Sequence, residues 1–286
     1  MPLENDPAEP RPLSPALEEV SQRLVSARLG ARALDSFPGQ LPASLEDAYS
    51  VQSASMARWP DRVAGWKVGG VPTDLREVLG AARLSGPIYR ASLAHTAVGE
   101  QHTMAIFEGG FAAVEAEFIF CLDEAFPPDG RVYGDDDLIE RITLHVGAEI
   151  ASSPMADINR IGPVCVVCDF GNNGGLLVGP AIPQWHTLAE EELSARVHVD
   201  GVLAGAATVT DVEGGLLAPL RFLLALCTAR GLTLEAGTFV SCGALTGIHE
   251  VTVDSHAKVQ FGGVGAFDVT FEARQPMPDS AASAEH

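Results

Sequence analysis

Apolar positions along this chain change their period as it proceeds. Near the start, Leu17, Val20, Leu24 and Leu29 recur at helical spacing, and a second helix is predicted from Ser44-Leu45-Glu46-Asp47 through Ala48, Val51 and Met56. Ser44 is the expected cap, and Asp47 at the third helical position makes a weaker capping box than Glu would. Val63 to Val68 then reads as a strand closed by Gly69-Gly70. From residue 105 onward short strands bounded by turn signals dominate: 113–122, 144–151, 163–169, 175–182, 195–203, 237–243, 250–254, 257–262 and 266–272. The apolar stretch from Leu216 to Ala229 contains Arg221 and is too short to span a bilayer. With Pro219 near its start and Gly231 past its end, it reads as a buried helix. No internal repeat is present. The predicted class is α+β, with a disordered N-terminus over 1–14, a helical N-terminal part over 15–70, a β-rich body over 71–274 and a disordered tail over 275–286.

One strand carries acids where the pattern calls for apolar side chains. Glu115 and Glu117 sit within Val114-Glu115-Ala116-Glu117-Phe118-Ile119-Phe120-Cys121-Leu122. Side chains at i and i+2 lie on one face of a strand, about 6–7 Å apart. Two like charges on a poorly solvated face need protonation, a base or a cation. A hard divalent ion answers this best, since oxygen-only ligation suits Mg²⁺, Mn²⁺ or Ca²⁺ and no His or Cys stands at ligand spacing beside the pair. An edge strand showing its acids to water is the alternative.

Three further features belong to the same body. Lys67, between Trp66 and Val68 before a glycine pair, is a cation in an apolar strand. Desolvation would depress its pKa and suit it to proton transfer or to anchoring an anion, while a snorkelling strand-end lysine is the plain reading. Glu149, in His145-Val146-Gly147-Ala148-Glu149-Ile150, is another acid in apolar company. The glycine-rich stretches Asp169-Phe170-Gly171-Asn172-Asn173-Gly174-Gly175 and Ser241-Cys242-Gly243-Ala244-Leu245-Thr246-Gly247 put small residues, amides and a hydroxyl at turns that a ligand can approach closely, though hairpins without a site have the same composition. Neither matches a dinucleotide or phosphate loop.

Composition narrows the partners. The chain has 286 residues, and 18 Lys plus Arg against 38 Asp plus Glu give a formal charge of -20, which argues against nucleic acid and anionic membranes. Five cysteines, an odd number in apolar segments, fit reduced thiols. Cys165-Val166-Val167-Cys168 on the strand predicted there would point its thiols to opposite faces, so packing is the expected role. The acidic, proline-rich start has no signal-peptide character, and a cytoplasmic location is expected.

Taken in order, Asp47-Ala48-Tyr49-Ser50-Val51-Gln52, Gly65-Trp66-Lys67-Val68-Gly69, Val114-Glu115-Ala116-Glu117, Ala148-Glu149-Ile150, Asp169 with its Gly/Asn turn, Ala236-Gly237 and Gly243-Ala244-Leu245-Thr246-Gly247 form a recognisable set. The chain from about 17 to 273 resembles the 2-keto-4-pentenoate hydratase and 4-oxalocrotonate decarboxylase branch of the fumarylacetoacetate hydrolase superfamily. The resemblance implies that superfamily's mixed β-rich fold with a helical N-terminal part, and a homo-oligomer able to associate with a related pathway enzyme. It implies a Mg²⁺ or Mn²⁺ site from Glu115, Glu117 and Glu149, with Lys67 catalytic. Thr246 and the amides around Gly243 would hold the carboxylate of a 2-keto acid, with Asn172, Asn173 and Asp169 nearby. The activity implied is hydration of a 2-hydroxy-2,4-dienoate in aromatic catabolism. Decarboxylation of 4-oxalocrotonate, acylpyruvate-type carbon-carbon hydrolysis and a non-enzymatic partner subunit binding an anionic metabolite are the alternatives. Two departures stand out. The family's V-D-x-P-D-F-G segment has no acid here between Ala81 and Tyr89, and its T-G-S-L-T-G turn keeps one hydroxyl, Thr246.

Overall fold

In the computed structural model, which describes residues 13–277, two capped helices lead into paired sheets. Helices α1 (Pro15–Leu29) and α2 (Leu45–Arg58) precede strand β1 (Val63–Gly70), helix α3 (Arg76–Leu79) and strands β2 (Arg83–Tyr89), β3 (Leu93–His95) and β4 (Gln101–Ile106). Strand β5 (Phe111–Leu122), helix α4 (Asp135–Ile139), strand β6 (Ile142–Ser153), helices α5 (Ile158–Ile161) and α6 (Pro163–Cys168) and strand β7 (Asn173–Ala181) follow. The chain ends with β8 (Ser194–Val199), β9 (Val202–Thr208), α7 (Ala218–Ala229), β10 (Phe239–Ser241), β11 (His249–Glu250), β12 (His256–Phe261) and β13 (Gly265–Ala273). No described helix is long and apolar enough to cross a membrane.

Both predicted caps form. Ser14 Oγ accepts from Leu17 N at 3.3 Å and Ser44 Oγ from Asp47 N at 3.1 Å, each satisfying an orphan amide of the first turn. Each helix buries one face, Val20, Leu24 and Val25 on α1 and Leu45, Ala48 and Val51 on α2, and Ser21 meets Ser55 between them at 2.9 Å.

The main sheet runs β2-β1-β10-β5-β6-β7-β3, with β11 also paired to β5; the second runs β4-β13-β12-β8-β9. Alternation along β5 divides its side chains. Val114, Ala116, Phe118 and Phe120 join Leu144, Val146 and Ile150 of β6 and Val259 and Phe267 of the second sheet in the principal core. Each such side chain contributes about 1.5–3 kcal/mol by leaving water. Ile119 faces the other way and packs with Ile88, Leu176, Val178 and Phe239, so β2 and β7 meet over that face. That face also receives Glu115 and Glu117.

Several sequence readings change. Residues 163–168 form helix α6 rather than a strand. An unbroken apolar run has no period to separate the two, and Pro163 at the helix start with Gly162 before it, at φ 113°, sets the helical choice. Gln52 Nε2 then bonds Val167 O at 3.0 Å. Cys165 and Cys168 lie three apart on this helix, not on opposite strand faces, and both are free and buried. The strand expected over 195–203 is a hairpin, β8 and β9, turning at Asp200-Gly201, where both residues have positive φ. Strands β2, β3 and β4 were not foreseen. The boundary expected at residue 70 falls between β1 and β2, which pair antiparallel in one sheet. Of the two segments expected to be disordered, Ser14 caps α1 and Met277 N bonds Leu29 O at 2.8 Å; residues 1–12 and 278–286 lie outside the described residues.

Asp169 proves to be a structural acid. Arg28 of α1 holds it bidentately, Nε to Oδ1 at 2.5 Å and Nη2 to Oδ2 at 2.9 Å, and Ser153 Oγ donates to Oδ2 at 2.6 Å. Arg28 also donates to Asn173 O at 2.9 Å and Ser152 O at 3.2 Å, so α1 is tied to the turn before β7. Arg28→Met should lower unfolding free energy by about 3–5 kcal/mol, because a buried carboxylate loses its counter-ion; urea titration measures this. A loss below about 1 kcal/mol, the usual value of an exposed pair, would show that the clamp is unimportant.

Candidate active site

The register of β5 and β6 brings three acids together. Glu115 stands directly opposite Glu149, and Glu117 lies opposite Gly147. A Cβ at Gly147 would come within 2.2 Å of Ile119 Cδ1 and 2.4 Å of Leu177 O, so only glycine fits there. Glu115 is 4% exposed and the other two are fully buried. One oxygen from each of the three lies within 4.8 Å of the others.

Neighbours orient each acid and leave oxygens open. Glu117 Oε2 accepts from Ser241 Oγ and from Gly243 N, the latter at 2.9 Å, while its Oε1 has no partner. Glu149 Oε1 accepts from Asn173 Nδ2 at 3.0 Å; its Oε2 makes no hydrogen bond and lies 3.4 Å from Lys67 Nζ. Orphaned buried carboxylate oxygens facing one point are the mark of a cation site. Charge gives the same answer. Three carboxylates and one ammonium leave two negative charges in a dry place, which a divalent ion would balance.

Without such an ion Glu115 and Glu117 resist ionisation. Burial, opposed by Lys67 and reinforced by Glu149, raises Glu115 to about 7, and burial with the neighbouring Glu149 and Glu115 raises Glu117 further. The expected depression of Lys67 does not occur. Burial does push it down, but Glu149, Glu115 and Glu117 together outweigh burial and hold the ammonium above its ordinary range.

Lys67 projects from β1 between β2 and β10. Gly86 of β2 lets the Phe170-Gly171 turn close over it, since a Cβ at Gly86 would meet Phe170 O at 2.1 Å. A cavity of about 220 Å³ opens beside Lys67 and Glu115, walled by Gly69, Leu84, Val166, Ala244 and Ile248 and by the amides of Asn159 and Asn172. Larger clefts elsewhere, such as one of about 340 Å³ at Phe107–Gly110, contain none of these acids.

The structure redistributes the other predicted site residues. Asn172 lines the cavity, with its side-chain oxygen buried and unpartnered. Asn173 serves Glu149 instead. The Gly243 amide, expected to hold a substrate carboxylate, is already donated to Glu117. Thr246 pairs with His249 Nε2 at 3.0 Å and lies outside the cavity wall, where Ala244 and Ile248 stand in its place. Asp169 belongs to Arg28. Sequence reasoning assigned no role to Ser241 or Asn159. Ser241 lay within a flagged glycine-rich stretch, whereas Asn159, in a single helical turn, had no signal.

Adding Mg²⁺ or Mn²⁺ at about 100 times its Kd should stabilise the protein by roughly 2.7 kcal/mol, a Tm rise of roughly 5–10 °C. Glu117→Ala should abolish that rise while leaving the metal-free protein as stable or more so, because a buried carboxyl crowded by two others is gone; an unchanged metal response would remove Glu117 from the ligand set. In chelator, the folded state keeps a proton on Glu115 to about pH 7 that the unfolded chain releases near 4.5, so metal-free stability should fall as pH rises through that window. Unfolding curves that are flat or rising between these pH values would contradict the assignment.

Neither a family model nor a curated protein matches the sequence. Solved structures do match in shape. 4-Oxalocrotonate decarboxylase from Pseudomonas putida G7, complexed with magnesium and adipate, superposes at a TM-score of 0.73 with 18% identity over 90% of this chain and 97% of that one. Its complex with calcium and acetate gives 0.74 and 19% over 92% and 100%. Fumarylpyruvate hydrolase from Pseudomonas aeruginosa, with Mn²⁺ and pyruvate, gives 0.52 and 13% over 75% and 91%. The likeness is one of fold: this chain shares with these solved structures the arrangement of helices before two mixed sheets, and its acids lie on the larger sheet.

Proposed function

We propose that this chain is a Mg²⁺- or Mn²⁺-dependent hydratase that adds water to a 2-hydroxy-2,4-dienoate, by way of its 2-keto-3-enoate, to give a 4-hydroxy-2-keto acid. The observation that carries the reading is the composition of the cavity: one cation, Lys67, beside Glu115 of the acidic trio, with apolar walls and two amides. Glu115, Glu117 and Glu149 would hold the metal, which, when bound, supplies an electrophile that polarises the C2 oxygen of a 2-keto acid and favours its enol.

The chain's own groups account for the rest. Lys67 Nζ, an ammonium at the cavity wall, would attract the substrate carboxylate into a protein of charge -20 and hand a proton to the terminal carbon of the dienol, taking up the C2 hydroxyl proton in return, which yields the conjugated ketone. Water then adds at C4. No acid lies between Ala81 and Tyr89, and the unpartnered side-chain oxygen of Asn172 is the acceptor available to orient that water. Leu84, Val166 and Ile248 suit an uncharged tail, and no second cation lines the cavity for a distal carboxylate. Decarboxylation of a 2-keto diacid is the second reading, favoured by the likeness to 4-oxalocrotonate decarboxylase.

Freshly generated 2-hydroxypenta-2,4-dienoate should lose its ultraviolet band with Mg²⁺ or Mn²⁺ and keep it in chelator, with product heavier by one water. Loss of carbon dioxide from 4-oxalocrotonate with no hydration would install the decarboxylase instead. Lys67→Ala should lower turnover by about 10²–10⁴-fold, the range for a lost acid-base group, with metal-induced stabilisation near normal. If metal binding falls as far as turnover, the lysine is a structural counter-ion and its catalytic role is wrong.

A further inference from the structure

A second cavity, of about 310 Å³, lies on the other side of the Asn173-Gly174 turn, and the site described above does not use it. Trp59, Tyr89, Leu93 and Met104 give it an aromatic and aliphatic lining, and Arg274 supplies a cation. Arg274 Nη2 donates to Gly174 O at 2.7 Å and Ala105 O at 3.1 Å, but among the described residues Nε is buried without a partner. Among the described residues no carboxylate forms an ion pair with it. Burial and the charge of Arg28 push its pKa down to about 10, the signature of a cation short of counter-charge. Arg28 offers no relief, because its carboxylate is bound bidentately and both guanidiniums lie over the Phe107 ring, at 5.5 and 5.1 Å.

A second donor is also unused. Tyr89 is 6% exposed, and its hydroxyl is buried with no hydrogen-bond partner among the described residues. The ring cannot easily turn to find one, being packed 5.2 Å from both Trp59 and Phe170. Two acids border the cavity without answering these donors. Asp61 already accepts from the Arg62 and Ala91 amides, and Glu272 is exposed. An uncompensated guanidinium, a stranded phenol and apolar walls together describe the complement of an anion with an apolar body, and the volume falls at the small end of ligand sites.

We propose that this cavity is a binding site for a small monocarboxylate with an apolar body, of about six to eight carbons, held by Arg274 and Tyr89. Arg274 grips Gly174 O, and the adjoining Asn173 side chain grips Glu149 Oε1, so the ligand sits a short hydrogen-bonded path from the predicted metal ligand.

Hexanoate is the probe, titrated in chelator so that the acidic trio cannot bind it through a metal, with tryptophan fluorescence reporting at Trp59 and hexanamide as the uncharged control. Saturable binding of hexanoate, at least tenfold tighter than hexanamide, is expected. Arg274→Gln should weaken it at least tenfold, and Tyr89→Phe, which keeps the packed ring and removes only the hydroxyl, about fivefold to tenfold. Glu117→Ala should bind hexanoate as the unmodified protein does, whatever becomes of the catalytic reading. No saturable response, equal binding of hexanamide, binding untouched by both cavity substitutions, or binding lost in Glu117→Ala would each overturn the proposal.

Discussion

Three buried acids crowded round a single ammonium organise this molecule. Glu115, Glu117 and Glu149 converge on one face of the main sheet with Lys67 as the nearest cation, and one ammonium is too little for three carboxylates. Side chains around them are spent on orientation rather than neutralisation. Ser241 and Gly243 fix one oxygen of Glu117, Asn173 fixes one oxygen of Glu149, and the opposite oxygens stay open. A scaffold gains nothing from that arrangement, since removing buried charges usually favours folding.

The rest of the fold holds the walls of this pocket in place. Between the sheets an apolar core fixes the even-numbered positions of β5, and alternation then fixes where its odd-numbered acids point. At the rim, Arg28 ties the first helix to Asp169 and to the carbonyl of Asn173, whose side chain in turn holds Glu149. A helix that contributes nothing to the pocket wall is therefore linked to Glu149 through one residue, Asn173.

The acids were legible in the sequence because they contradict their surroundings. A Glu-x-Glu inside Val, Ala, Phe and Ile violates the alternation of a buried strand, and Glu149 repeats the violation at the position that register places opposite Glu115. Lys67 was legible for the same reason, although the sign of its pKa shift depended on how many carboxylates would meet it in space. Asp169 was misread, because its partner Arg28 lies 141 residues away on a helix whose other positions look ordinary. Gly243 and Thr246 were placed by motif, and a motif does not tell whether an amide or hydroxyl is already engaged by the protein. Helix α6 was missed because six apolar residues carry no period, and Asn159 because a lone amide in a short turn has no sequence signature.

Strand β1 sits between β2, its neighbour in sequence, and β10, close to the other end of the chain. The acidic half of the pocket, by contrast, is a local hairpin of β5 and β6. During synthesis the three carboxylates can come together well before Ser241 appears, which lies 124 residues beyond Glu117 and belongs to the strand that secures β1 with its lysine. The two halves of the pocket therefore close over different sequence separations, the acids through consecutive strands and the lysine through β10, which stands between β1 and β5.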